Sequence, residues 1–397
     1  MIRLLYGLFF LVFMTSLVVG VHYYMYRRLA VDTQLSSRLR ATVRLALIVL
    51  AAGLPLTMLL QRALPMTWAR VLLQPWFVWM GMMFLLVWLL LASEGARLIL
   101  WGSSKLLGTQ GLADPGRRRL FARAVAGGAL ALASGSAAYA LRQALGRLEV
   151  KRVEVPLPRL QRALDGFTIV QLTDLHIGVN RSGVFLKEVV ERVNSLSPDI
   201  VAITGDLVDG TVGQLESDLA CLAELKPRHG TYFVTGNHEY YSGAPEWVAH
   251  LGKLGVRVLR NERVAISRDG ATFDLAGVDD YNARRMAPGH VHDPDRALAG
   301  RDPRRAAVLL AHQPRSVHAA ARHGVGLVLA GHTHGGQIWP MELLVHLQQP
   351  YVRGLARHKG TWIYVSSGTG FWGPPLRLGS TAEITRVVLR SEEKAKA

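Results

Sequence analysis

FTIVQLTDLH, residues 167–176, is a short apolar run that ends in Asp174 and His176, two side chains that can bind a metal ion. Leucine-rich and β-branched runs of this length, bounded by Gly or polar residues, are typical of strands buried on both faces of a sheet. Four later runs have the same form: DIVAITGD (199–206), GTYFVTGNHE (230–239), AAVLLAHQP (306–314) and VGLVLAGHTH (325–334). Helical stretches separate these runs, so the sequence predicts an α/β domain.

Each of these runs ends in side chains that commonly bind metals. Ligands of an open sheet bind beyond the carboxyl ends of its strands, so we expect these side chains to converge. Imidazole, carboxylate and amide groups together suit manganese, iron or zinc, and a single cysteine, Cys221, excludes a cysteine-built site. The predicted metal ligands are Asp174, His176, Asp206, Asn237, His312, His332 and His334.

The charge of the chain is distributed unevenly. The formal net charge is +17, but residues 1–144 hold 15 Lys and Arg against 3 Asp and Glu, whereas residues 145–397 hold 31 against 26. The excess lies beside apolar segments, where basic residues act as topology signals. The modest surplus on the domain that carries the metal motifs, without a basic aromatic stripe, argues against nucleic acid as a partner.

Four segments in the first 144 residues lack Asp, Glu, Lys and Arg: 4–26, 45–61, 71–93 and 124–141. A membrane span needs about 20 apolar residues, with a range of about 17 to 25. Helices of a soluble bundle would instead carry charges along one face. The sequence therefore predicts an all-α membrane region, 1–144, with about four transmembrane helices.

Basic residues also predict the orientation of these helices, because short loops rich in Lys and Arg stay in the cytoplasm. Five arginines lie between the first and second segments and six Lys or Arg between the third and fourth, but only Arg62 and Arg70 lie between the second and third. We therefore expect a multi-pass protein of the bacterial inner membrane. Both its amino terminus and the domain after the fourth helix would be extracytoplasmic.

The fourth segment has a second interpretation. Arg118 and Arg119 precede an Ala- and Gly-rich run that ends in an A-x-A sequence, 138–140, which resembles a twin-arginine export signal with its cleavage site. Such signals normally begin a chain and this one is internal, so we favour a membrane anchor. The remaining predicted boundaries are a linker and first strand (145–165), the domain with the metal motifs (166–390) and a polar tail (391–397).

The order of the motifs D-x-H, G-D, G-N-H-E, H and G-H-x-H resembles that of the calcineurin-like metallophosphoesterase superfamily, across residues 166–389. More narrowly, GDLVDG, GNHEYY, GHTHGGQ and FWGPPLR are similar to the membrane-associated bacterial branch that includes YkuE and YaeI. The resemblance implies an α/β fold with four αββα layers, in which two mixed sheets pack face to face between helices.

The resemblance also implies a site for two divalent metal ions, and among manganese, iron and zinc we favour manganese or an iron-containing pair. Two such ions, about 3.5 to 4 Å apart, hold a bridging hydroxide in line with phosphorus and neutralise charge on the phosphoryl oxygens. Asp206 would bridge the ions. The first metal would be held by Asp174, His176 and His334, and the second by Asn237, His312 and His332.

Four further residues are candidates for the reaction. His238 resembles the family's general acid, which protonates the leaving alkoxide, and Asp209 resembles the carboxylate that orients it. Arg377 follows the loop FWGPPL and is predicted either to clamp a phosphate oxygen or to form an ordinary salt bridge. Gln337 is predicted to touch substrate or to shape the turn after GHTH. Phe371 and Trp372, the aromatic pair in the loop before Arg377, are candidates for lipid headgroup contact, with core packing as the alternative.

The leading functional hypothesis is a membrane-anchored metallophosphoesterase that hydrolyses phosphate esters by a metal-bridged hydroxide. Its predicted substrate is lipid-linked or envelope-associated, for example a phospholipid. A pyrophosphatase acting on a UDP-diacylglucosamine-type lipid is an alternative, although that substrate is expected on the cytoplasmic side. A nuclease or cyclic-nucleotide phosphodiesterase is a second alternative. A non-catalytic metal-binding receptor is the third, but it would normally lack a ligand or His238, and the sequence has them all.

Overall fold

The chain folds into two compact units, Met1–Leu141 and Arg142–Ala397. The structure, a computed structural model, describes residues 2–106, 114–146 and 148–392. The predicted polar tail therefore lies outside the described residues from position 393 onward.

The first unit is helical. Among the described residues, three helices are long and apolar enough to cross a membrane: Ser37–Ala63, Gln74–Leu106 and Gly116–Leu145. The first predicted span also forms a helix, but the side chains of its first turns lie outside the described residues, so a fourth span stays a prediction. The helices are α1 (Ile2–Tyr26), α2 (Ser37–Ala63), α3 (Met66–Leu72), α4 (Gln74–Leu106) and α5 (Pro115–Leu145), with a π-helical turn at Arg27–Val31.

The second unit contains two six-stranded mixed sheets with helices on both sides, which confirms the predicted fold class. The strand order is β1-β12-β2-β3-β4-β5 in the first sheet and β10-β11-β9-β8-β7-β6 in the second. The strands are β1 (Glu149–Leu157), β2 (Thr168–Leu172), β3 (Ile200–Ile203), β4 (Thr231–Phe233), β5 (Val256–Val258), β6 (Glu262–Arg268), β7 (Ala271–Gly277), β8 (Ala307–Leu310), β9 (Leu327–Ala330), β10 (Gly354–His358), β11 (Thr361–Val365) and β12 (Glu383–Ser391). The helices are α6 (Gly183–Ser195), α7 (Val212–Leu219), α8 (Asn237–Ser242), α9 (Ala244–Lys253), α10 (Ala283–Met286), α11 (Pro294–Leu298), α12 (Val317–Arg322) and α13 (Met341–Val345).

The main core lies between the two sheets. Phe167 packs edge-on against Phe273 with their ring centroids 5.1 Å apart, so an aromatic pair joins the sheets. Along β8, Val308 and Leu310 contribute to this core, whereas Leu309 belongs to a second apolar cluster on the other face of the sheet. Strands buried on both faces need apolar side chains at every position, which explains the unbroken apolar runs in the sequence.

Candidate metal centre

The strands of the first sheet end together at one edge. Leu172 of β2 pairs with Ile203 of β3, and Ile203 pairs in turn with Phe233 of β4. The loops beyond these strands are joined by backbone hydrogen bonds, from Asp174 N to Gly205 O (3.0 Å) and from His176 N to Asp206 O (3.1 Å). The parallel register thus brings the first predicted ligands side by side.

The second sheet contributes its ligands at the same place. The Nδ1 atom of His312, just beyond β8, lies 2.9 Å from Thr204 O, just beyond β3. The backbone N–H of His332, beyond β9, donates to both carboxylate oxygens of Asp174, at 3.1 and 3.0 Å. Hydrogen bonds between the sheets therefore fix the position of one set of ligands relative to the other.

The backbone turns sharply at these strand ends. Five predicted ligands adopt positive φ values between 49° and 73°, which non-glycine residues rarely do: Asp174, His176, Asp206, His332 and His334. Residues held in such conformations concentrate at functional sites, where the surrounding structure compensates the strain. Gly236 and Gly331 allow the close approach, because an added Cβ atom would collide with the carboxylates of Asp206 and Asp174 respectively.

The predicted ligands form two groups around Asp206. In each group the potential ligand atoms lie within 4.8 Å of one another, and one group is Asp174, His176 and His334, the other Asp206, His312 and His332. The Oδ2 atom of Asp206 lies 3.1 Å from His312 Nε2 and 3.8 Å from His176 Nε2. Asp206 therefore lies between the groups, where a carboxylate can serve both.

Several polar atoms in this site are arranged as metal ligands would be. The Oδ1 atom of Asn237 is buried without a hydrogen-bond partner among the described residues. The Nε2 atoms of His176 and His334 face each other at 3.1 Å. Burial lowers the pKa of His332 to about 3 and that of His334 to about 4, so both imidazoles are neutral at pH 7 and have a lone pair to donate. The residues present fit a metal site.

His238 and Asp209 are in direct contact. The Nδ1 atom of His238 lies 2.6 Å from Asp209 Oδ1, and Asp209 also accepts a hydrogen bond from His176 Nδ1 at 3.1 Å. Burial lowers the pKa of His238, but Asp206 and Asp209 outweigh that effect and raise it to about 9. The Nε2 atom of His238 lies 4.0 Å from Asp206 Oδ2, so this imidazole borders the ligands with a proton available.

Residues 167–336 match the family model described as calcineurin-like phosphoesterase. A metallophosphoesterase from Aquifex aeolicus is 35% identical over 252 residues, which cover 62% of this chain and 93% of that protein. The chain belongs to the calcineurin-like phosphoesterase family. The resemblance of its motifs to this superfamily is thereby confirmed.

Two other members of the family bear on the narrower resemblance. A Danio rerio protein named as a transmembrane protein with a metallophosphoesterase domain is 40% identical over 270 residues, which cover 66% of this chain and 62% of that relative. YkuE from Bacillus subtilis is 29% identical over 276 residues, which cover 68% of this chain and 94% of YkuE. The vertebrate relative is thus more similar than YkuE, and placement in the YkuE and YaeI branch stays a prediction.

Arg377 is enclosed by the loops around the metal centre. Its side chain is fully buried, and its guanidinium binds the loops around it. It donates to Ser380 Oγ and to the carbonyl oxygens of His334, Ser367, Gly368, Gly370 and Thr381. With every donor directed at oxygen atoms of the protein, the side chain stabilises the loop. A phosphate clamp and a salt bridge, the two roles expected for Arg377, both stay predictions.

The amide of Gln337 has a similar structural role. Its Nε2 donates to the carbonyls of Trp372 (2.8 Å) and Pro374 (3.1 Å), and its Oε1 accepts from Trp372 N (3.0 Å). The loop that Gln337 holds divides the predicted aromatic pair, because Phe371 is buried and Trp372 is 55% exposed. The centroid of the Trp372 ring lies 5.9 Å from that of the His238 ring, so an exposed aromatic side chain lies beside the candidate general acid.

Glu239 is a site residue for which the sequence predicted no role. Its buried carboxylate accepts hydrogen bonds from the backbone N–H groups of Gly236 (2.6 Å), Asp206 (3.0 Å) and Leu207 (2.8 Å). It therefore joins the loop that carries Asp206 to the first turn of α8. A signal was present, since Glu three residues after a helix N-cap is the second half of a capping box, but glycine at the cap made it inconspicuous.

We expect Glu239→Gln to destabilise the protein by about 1–3 kcal/mol, because an amide NH₂ group would face backbone donors that the carboxylate now accepts. The thermal unfolding midpoint of the full-length protein in detergent should fall by about 2–10 °C. Glu216→Gln, at an exposed position on α7, is the matched control and should leave the midpoint unchanged. Equal midpoints for the two variants would show that Glu239 does not hold the loops.

Proposed function

We propose that the chain is a membrane-associated phosphoesterase that depends on two divalent metal ions. The observation that carries this proposal is the position of Asp206, whose carboxylate lies within reach of both groups of ligands. One ion would be held by Asp174, His176 and His334, and the other by Asn237, His312 and His332, with Asp206 shared. When bound, such a pair activates water as a nucleophile and neutralises charge on the phosphoryl group.

The protein's own contribution to the reaction centres on His238. Its Nδ1 is held by Asp209, which leaves Nε2 to donate a proton to the oxygen of the departing group. The rings of Tyr241 and Trp372 pack edge-on against His238, with centroids 5.2 and 5.9 Å away, and both side chains are more than half exposed. These rings restrict the motion of the imidazole and border the path by which an ester reaches it.

We propose that the substrate is a phosphate ester at the membrane surface, either a lipid or another envelope component. The three membrane-length helices support this location, as does the Danio rerio relative, whose name describes a transmembrane protein. The distribution of basic residues supports an extracytoplasmic domain in a bacterial inner membrane. Manganese is the ion we favour, because oxygen and imidazole ligands suit it.

Reconstitution with metals tests this proposal. The full-length protein would be purified in detergent, stripped with a chelator and reloaded separately with Mn²⁺, Zn²⁺ or Mg²⁺. We expect chelation to lower hydrolysis of bis-p-nitrophenyl phosphate or p-nitrophenyl phosphate by at least about 100-fold and one of the ions to restore it. The ion that restores activity should also raise the unfolding midpoint, because it binds only the folded state.

The preferred ester and the next substrates follow from the same assay. Preference for the bis ester would indicate a phosphodiesterase, and phospholipids in mixed micelles would be tested next. A folded, metal-loaded protein that cleaves neither compound would contradict the proposed activity.

A further inference from the structure

The segment after the GHTHGG turn exposes a row of large apolar side chains. Trp339, Leu343, Leu344 and Leu347 are between 43% and 81% exposed. Hydrogen bonds from His346 N to Glu342 O and from Leu347 N to Leu344 O extend the helical turn beyond α13, so Leu343 and Leu347 lie one turn apart on one face. These four side chains and the exposed Trp372 together form a surface that we name the apolar ledge. Exposed apolar clusters of this kind mark interaction sites.

The apolar ledge adjoins the candidate metal centre. A Cβ atom on Gly336 would lie 2.7 Å from the Cβ of Glu342, so α13 packs directly on the turn that carries His334. Gln337, in the same turn, holds the backbone of Trp372, whose ring faces His238. Whatever covers the apolar ledge therefore lies next to the group proposed to protonate the leaving oxygen.

The surroundings of the apolar ledge favour an anionic bilayer as its partner. Residues 343–382 contain no Asp or Glu. Of the exposed basic residues in and around β10, Arg353 pairs with Glu342 of α13 at 3.1 Å, whereas Arg357 and Lys359 have no ion pair among the described residues. Trp and Leu side chains beside basic residues are the combination that binds an anionic lipid surface. Only residues 146–148 separate the end of α5, a candidate membrane span, from the start of β1. A protein partner accounts less specifically for the occurrence of Trp and Leu side chains beside basic residues.

We propose that the apolar ledge inserts into the headgroup layer of an anionic membrane and holds the metal centre at the lipid surface. An ester phosphate at the membrane surface would then reach His238 without leaving the bilayer. That second step rests on the proposed function, whereas insertion of the apolar ledge does not.

Fluorescence quenching by lipid tests the insertion. Cys221 is the single cysteine, so Cys221→Ser gives a background in which Leu347→Cys can carry an environment-sensitive NBD label. The full-length variant would be reconstituted in vesicles of equal parts phosphatidylglycerol and phosphatidylcholine, with a shallow doxyl spin label on part of the phosphatidylcholine. The matched control is Ala265→Cys, because Ala265 is exposed on β6. β6 forms the edge of the second sheet opposite β10, the strand that carries the basic residues.

We expect quenching at position 347 to exceed quenching at position 265 by at least about twofold, with a blue-shifted emission only at 347. Equal and weak quenching at both positions would overturn the proposal. A label at 347 that is shielded from aqueous iodide but not quenched by doxyl lipid would also overturn it, since a protein would then cover the apolar ledge.

A second experiment separates insertion from catalysis. The variant L343E/L347E should lose at least about tenfold in hydrolysis of a phospholipid in those vesicles while its hydrolysis of soluble bis-p-nitrophenyl phosphate stays within about twofold of the unmodified protein. Equal loss on both substrates would contradict a membrane role for the apolar ledge. The quenching assay needs no turnover, so failure of the proposed activity and failure of the apolar ledge proposal are distinguishable.

Discussion

Replacing Asp206 with asparagine is expected to lower hydrolysis of bis-p-nitrophenyl phosphate by at least about 100-fold and to reduce bound metal in the same preparation. The Oδ1 atom of Asp206 accepts the backbone N–H of His238 at 2.9 Å, so the amide oxygen of asparagine would keep that bond. The amide NH₂ group would then replace Oδ2 and face the Nε2 atoms of His312 and His176. A hydrogen-bond donor would then occupy the position at which the two groups of ligands require a shared anionic ligand.

Metal content measured by mass spectrometry, together with the rate, checks this prediction. Asparagine has nearly the shape of aspartate, so far-ultraviolet circular dichroism should be unchanged. Asp295→Asn is the matched control, because its side chain is 77% exposed and pairs only with His323 at the surface among its described ion pairs. An Asp206→Asn protein with normal metal content and rate would contradict the shared-ligand position.

His238→Ala is expected to show the opposite combination, with metal content retained and turnover lowered by about 10²- to 10⁴-fold. The imidazole of His238 is held by Asp209 and is not one of the seven predicted ligands, although its Nε2 lies 4.0 Å from Asp206 and its ring packs against His176 with centroids 4.6 Å apart. We expect its removal to leave those ligands in place. If it protonates the leaving oxygen, the loss should be larger for phenyl esters than for p-nitrophenyl esters, because p-nitrophenolate leaves without help. Comparing phenyl esters with p-nitrophenyl esters therefore shows whether His238 protonates the leaving oxygen.

Two variants complete that comparison. Asp209→Asn should lower turnover by about 10- to 100-fold and also weaken metal binding, because Asp209 holds both His238 and His176. His323→Ala, at a surface ion pair, is the control and should match the unmodified protein. A loss for His238→Ala that is equal across leaving groups would show that this residue positions substrate and does not donate the proton.

The strand ends were predictable because their signal is local. A run such as FTIVQLTDLH contains both the buried strand and the side chains that leave it, and the carboxyl ends of parallel strands must meet at one edge. The order of five such runs was enough to predict the fold class and the seven ligands, and the roles of His238 and Asp209 came from the family that this order resembles. The structure brings all nine of these residues into one site.

The roles of Arg377, Gln337 and Glu239 depended on the tertiary structure. In the sequence, Arg377 is a cation after a loop, and only the folded chain shows that residues 334–381 surround it with carbonyl oxygens. Glu239 likewise bonds across more than 30 positions to the loop of Asp206. Hydrogen-bond partners so far apart in sequence leave no local pattern, so burial and the number of acceptors decide what such a side chain does.

By itself the sequence determined the α/β class, the identity of the predicted ligands and the membrane-length helices, because periodicity and side-chain chemistry are properties of short segments. Only the tertiary structure decided which hydrogen bonds join the strand ends of the two sheets and how far Asp206 lies from His312 and His176. It also decided that Leu343 and Leu347 stay exposed beside the metal centre. The physical reason is that the burial of a side chain depends on which segments, distant in sequence, pack together. The order of the strands in the sheets determines that packing.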